Sequence, residues 1–155
     1  WARVQHLPRD PQRRNCWLCA VPAFRRRKNM DPRTLDAFTR DVLGTPKKPS
    51  NQADGPGSLT VAVALGMYFH PERMQFHQIG VLGAQAVALT HGDPTAFLSG
   101  SVLANCIAGI LHEPELTLKE QFLQGIDAMD YQFRGRFSQA EQLALHLKNH
   151  RHLVY

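Results

Sequence analysis

The chain has little cysteine, no sustained apolar run and none of the short motifs of common catalytic machinery, and each shortage removes a class of protein. Three cysteines, Cys16, Cys19 and Cys106, cannot build a disulfide framework across 155 residues and suit a reducing compartment, so a cytoplasmic location is expected. No apolar stretch is seen to reach the roughly 18 to 20 residues of a membrane helix, and the Arg-rich residues 1–30 lack the apolar heart of a secretory peptide. No membrane partner is expected. G-x-S-x-G, H-E-x-x-H, the Walker loop and G-x-G-x-x-G are all missing. What remains is ordinary: 43% apolar and 20% charged residues, with 10 Pro and 11 Gly, exclude collagen-like, coiled-coil and wholly disordered chains. A chain of this length can bury roughly two-thirds of the surface that it exposes when unfolded.

The net charge of +5 is unevenly placed. Arg3, Arg9, Arg13, Arg14, Arg25, Arg26, Arg27 and Lys28 face only Asp10 within residues 1–30, giving that segment +7 and the remainder −2. Trp1 and Trp17 could stack on bases beside such an arm. No groove-reading helix or RNA-binding signature follows it, so a solvated basic segment is the better reading and no nucleic-acid partner is expected. Organisation therefore divides into a basic, irregular segment, 1–30, and a helical domain or part of one, 31–155. The chain begins at Trp1 with no initiator Met, which suggests a processed product or an excised fragment of a longer protein.

Punctuation and periodicity predict an all-α fold. Asp31-Pro32 reads as a cap followed by Pro at the first helical position, with Leu35, Phe38 and Val42 on one face and Gly44 as the stop. Thr45–Gly57 is a long loop. Residues 58–69 alternate like a strand yet are apolar throughout; a buried helix is preferred, because no strand partner is evident elsewhere. Between Glu72 and Thr90, Ile79, Leu82, Ala86 and Leu89 mark a helix face, while Gly80, Gly83 and nearby alanines suggest close packing. Asp93-Pro94 opens an interior helix, Thr95–Leu111. Thr117-x-x-Glu120 and Ser138-x-x-Glu141 are capping boxes for two more helices, the first burying Leu118, Phe122, Ile126 and Met129 and the last carrying Leu143 and Leu147.

Several constellations carry potential chemistry. Cys16-x-x-Cys19 has zinc or redox spacing, but only His6 lies near as a further ligand. His146 and His150 share a helix face beside Lys148 and Arg151, which favours a solvated basic helix end over a metal site. Asp127 and Asp130 could pair as ligands, yet a hydrated outer face is preferred. Cys106 reads as an inert core thiol. Gly55-Pro56-Gly57-Ser58 stands before an apolar helix, where free amides suit a phosphate; a plain turn with Ser58 as cap is equally compatible. His91, in the tight Thr90–Pro94 connection, either satisfies helix ends or lines a pocket.

The order Pro49-Ser50-Asn51, Gly55-x-Gly57-Ser58-Leu59, then Gly83-Ala84-Gln85-Ala86-Val87-Ala88-Leu89-Thr90-His91-Gly92-Asp93-Pro94 resembles the ADP-ribosylglycohydrolase family, most clearly over Ile79–Leu111 and more weakly over Ser50–Asp130. That resemblance implies a partial, orthogonal multi-helix bundle and hydrolysis of the ADP-ribose glycosidic bond in the intact family form, with magnesium as cofactor. It implies Gly55, Gly57 and Ser58 near the ligand phosphates and His91 at the pocket wall, with ADP-ribose or an ADP-ribosylated protein as partner. Against the family pattern, Asp54 stands where a Lys is common, and Thr60-Val61 replaces Met-Arg. Neither Asp-Asp-Thr nor Asp-Thr-Asp occurs, so no catalytic residue and no metal ligand is assigned. The alternative is a non-catalytic relative, serving as an ADP-ribose-binding or protein-interaction module, with self-association expected where helices lack cover.

Overall fold

A computed structural model describes residues 31–39, 44–70 and 72–154. The basic segment with Trp1, His6, Cys16, Trp17 and Cys19, and Val42 of the first predicted helix, lie outside the described residues. Within them the chain forms six α-helices and no strand beyond an isolated Thr45–Lys48 bridge, as the all-α expectation required. The helices are α1 (Pro32–Thr39), α2 (Leu59–Tyr68), α3 (Phe76–Ala88), α4 (Pro94–His112), α5 (Leu118–Phe133) and α6 (Ser138–Asn149).

Helix α4 is the axis of the body, packing against α2, α3, α5 and α6. It runs 19 residues and, contrary to the sequence expectation, is long and apolar enough by length and composition to cross a membrane. Its Ala96, Phe97, Leu98, Val102, Ala104 and Ala108 are buried among the neighbouring helices, so its apolar character is used in the interior. Asp93 caps it, its carboxylate accepting from Thr95 N at 2.8 Å. On α3 the buried stripe is Ile79, Gly80, Gly83, Ala84, Val87 and Ala88, whereas Leu82, Ala86 and Leu89 are half-buried. The expected face is thus displaced, because the glycines bring α4 close: a Cβ on Gly83 would stand 2.7 Å from Gly100 O.

Two further expectations change. Helix α2 forms, but only Ala62 and Gly66 are buried, while Val61, Met67 and Tyr68 are exposed; α2 lies on the body rather than in it. The Thr117–Glu120 box is complete, but the Ser138 box is not: Phe137 takes the cap position, and Ser138 Oγ bonds Gln139 instead. The Phe137 ring packs on Phe97 and Phe133, centroids 5.1 and 6.1 Å away, and that packing sets where the chain enters α6. Leu118 is exposed at the start of α5, leaving Ile126 and Met129 as its fully buried apolar side chains with Phe122 half-buried.

Candidate functional site

The site lies where three pieces of chain meet: the start of α1, the turn before α2 and the α3–α4 junction. Asp31 starts α1 as the sequence predicts, its Oδ2 accepting from Thr34 N at 2.8 Å and from Thr34 Oγ1 at 3.1 Å. Pro56–Ser58 forms a single 3-10 turn that runs into α2, with no side-chain cap at either start. Ser58 holds the N-cap position of α2, as the plain-turn reading has it, but its side chain makes no capping bond.

The long loop is stitched to the junction by one side chain. Asn51 Nδ2 donates to Thr90 O at 2.9 Å, and Asn51 Oδ1 accepts from Gly92 N at 2.9 Å and Ala53 N at 3.0 Å. Asp93 N adds a bond to Ala53 O at 3.2 Å. Backbone groups that no helix satisfies are thereby paired, those of Thr90 and Gly92 across some forty residues of sequence.

His91 is 0% exposed and Ser58 only 4%. Thr90 Oγ1 lies 3.0 Å from His91 Nδ1, and Asp31 Oδ2 lies 3.5 Å from His91 Nε2. A carboxylate beside Nε2 favours the tautomer that carries its proton there, in which Nδ1 accepts and competes with Val87 O, 3.4 Å away, for the single Thr90 hydroxyl proton. The Asp31 contact exceeds the usual 2.7–3.2 Å of a hydrogen bond, and among the described residues His91 Nε2 has no hydrogen-bond partner, nor has Ser58 Oγ. Burial pushes the His91 pKa down despite the opposing carboxylates of Asp31 and Asp54, so the ring is neutral at neutral pH. For Asp31, partial burial works upward, but the two Thr34 bonds and the charges of His91 and Arg33 outweigh it and hold the carboxyl below its usual range.

Gly57 and His91 both meet the carboxylate of Asp31. A Cβ on Gly57 would stand 2.6 Å from Asp31 Cγ and 3.0 Å from its Oδ1, so glycine is what lets that carboxyl lie in the turn. The Arg33 guanidinium lies beside Gly55 and pairs with Asp54 at 3.5 Å. Asp54 is therefore not the bare negative charge that the sequence suggests. Sequence reasoning missed Asp31 and Arg33 as members of the site; the helix-start signal at Asp31 was visible, but nothing in it tells which loop the carboxylate faces.

The other candidates separate. Asp127 pairs with Lys148 and Asp130 with Arg134, so the two carboxylates are committed to different cations, and Asp130 is buried rather than hydrated. The His146 and His150 rings lie tilted by 36° with centroids 4.4 Å apart on an exposed helix end. Cys106 is a buried thiol whose pKa burial pushes up. A groove of about 1060 Å³ between Thr45–Lys47 and Phe133–Phe137 shares no lining residue with the site.

The family model for ADP-ribosylglycohydrolase matches residues 2–153. The chain belongs to the ADP-ribosylglycohydrolase family. The match is wider than the Ser50–Asp130 stretch that carries the resemblance by eye, and it takes in Asp31, Arg33 and the basic segment. An all-α body is consistent with that family. A search of curated proteins and of solved structures matched none. The magnesium ions that the resemblance implies find no suitable donor set here, since among the described residues no group of three or more His, Cys, Asp or Glu could hold a metal.

Proposed function

We propose that this ADP-ribosylglycohydrolase-family chain binds ADP-ribose at Gly55, Gly57, Ser58 and His91, and that the described residues do not by themselves hydrolyse the glycosidic bond. One observation carries the reading: Ser58 Oγ and His91 Nε2 are buried polar atoms without partners, next to a glycine turn at a helix start. An unpartnered buried polar group costs about 1–3 kcal/mol, and a site that receives a polar ligand recovers that cost on binding. The start of α2 favours a diphosphate, and the Nε2 proton and the Ser58 hydroxyl supply donors to its oxygens. The donor set described above gives no means to activate water through a metal, which leaves hydrolysis to residues beyond those described.

Calorimetric titration with ADP-ribose, with and without magnesium, beside a hydrolysis assay on ADP-ribosylated arginine, tests this. Binding that ignores magnesium, no turnover, and roughly tenfold weaker binding by His91→Gln are the expected results. Magnesium-dependent turnover would overturn the non-catalytic part, and binding untouched by His91→Gln would remove the site.

A protein-interaction role is the second reading, favoured by α2. Met67 and Tyr68 are 61% and 68% exposed on a helix that carries no charge. Sedimentation showing a concentration-dependent dimer that Met67→Lys abolishes would support self-association through that face.

A further inference from the structure

We propose that Asp31 is the specificity-determining residue of this site: its carboxylate occupies the place of a ligand phosphate, and an anion enters only when α1 gives that carboxylate up. The inference rests on the reading of the glycine turn as the phosphate site of ADP-ribose. One side chain stands against two of the groups that an entering anion would meet, Gly57 and His91. Its Oδ1 and Cγ fill the space over Gly57, where any side chain would collide with them. Its Oδ2 faces His91 Nε2 at 3.5 Å, near enough to attract and too long to satisfy the donor. His91 is wholly buried, and the carboxylate beside its Nε2 is 26% exposed.

The arrangement is closed but releasable. Asp31 is held from the α1 side by the two Thr34 bonds, which belong to the cap of an eight-residue helix. Those two bonds are local to the first turn of α1, so the Asp31 side chain can turn away with α1 in place and the α3–α4 core undisturbed. The Arg33–Asp54 pair sits beside the same turn, and Arg33 is more than half exposed. Once Asp31 has left, that guanidinium stands next to Gly55 as a cation for the incoming phosphate. Two anions cannot share the turn, so the carboxylate and the diphosphate compete for it.

The test is titration of wild type, Asp31→Asn and Asp31→Ser with ADP-ribose, with inorganic pyrophosphate as the sugar-free probe and with uncharged adenosine as the control. Asn and Ser both cap helices well, so α1 keeps its start; thermal melts of each variant check that the fold persists. Expected is at least tenfold tighter binding of ADP-ribose and pyrophosphate by both variants, with adenosine unchanged. Binding by the variants alone, with wild type silent, supports the same conclusion in its strongest form. Equal or weaker binding by the variants than by a wild type that binds overturns the gate and leaves the ADP-ribose reading standing, with Asp31 then an acceptor for ribose hydroxyls. Failure of all three folded proteins to bind overturns both.

Discussion

Asn51 and His91 sit at the same junction, and they spend their polar atoms in opposite ways. Asn51 uses both ends of its amide on three backbone groups, all within 3.0 Å. His91, one residue from two of those groups, has one ring nitrogen on Thr90 and the other without a hydrogen-bond partner. The first residue is scaffold; the second, with Ser58 Oγ, keeps a buried polar atom that no described residue satisfies, and on that contrast the proposed site rests.

The sharpest way to break that comparison is on the scaffold side. Asn51→Ala would strand Thr90 O, Gly92 N and Ala53 N together, and the expected loss is about 2–4 kcal/mol, or roughly 5–12 °C in melting temperature for a chain of this size. A melt of the variant beside His91→Gln measures it. If His91→Gln costs as much as Asn51→Ala, the two residues play one structural role and the distinction fails.

A smaller effect should separate them by pH. The His91 pKa is lowered in the folded chain from its ordinary 6.5, so between the two values the unfolded chain binds the proton more readily. The stability that the neutral ring contributes is complete above about pH 6.5 and is lost as pH falls. Asp31, also lowered, adds a loss of the same sign only near and below 3.8. Melting temperature is expected to fall from pH 7 to pH 5, and to fall less in His91→Gln; an identical slope in the variant would show that another group sets the decline.

The same contrast explains what could be read from the sequence. Caps are local, so Asp93-Pro94 and Thr117-x-x-Glu120 were legible, each depending on atoms within three residues. The Ser138 box was misread because aromatic packing between Phe97 and Phe137, forty residues apart, moved the cap by one position. Helix α2 was legible as a helix and not as a surface one, since an apolar composition on every side cannot say which side is covered. Gly55, Gly57, Ser58 and His91 stand out in the sequence from a glycine turn before an apolar helix and a tight helix connection, and the family resemblance adds their proposed roles. Asp31 was read only as a cap; its second contact, to His91 across sixty residues, exists only after the loops are folded together.

The smallest effect belongs to Asp54. Its partner Arg33 and the carboxylate itself are 51% and 68% exposed, so their attraction is screened by water and contributes at most about 1 kcal/mol. Asp54→Asn should leave the melting temperature within a degree or two of wild type. It should still tighten pyrophosphate binding modestly, by about two- to threefold, since it removes one negative charge near the turn and frees Arg33; that gain should shrink in high salt. A gain as large as that of Asp31→Asn would place the competing anion at Asp54, on the exposed rim of the turn rather than over Gly57.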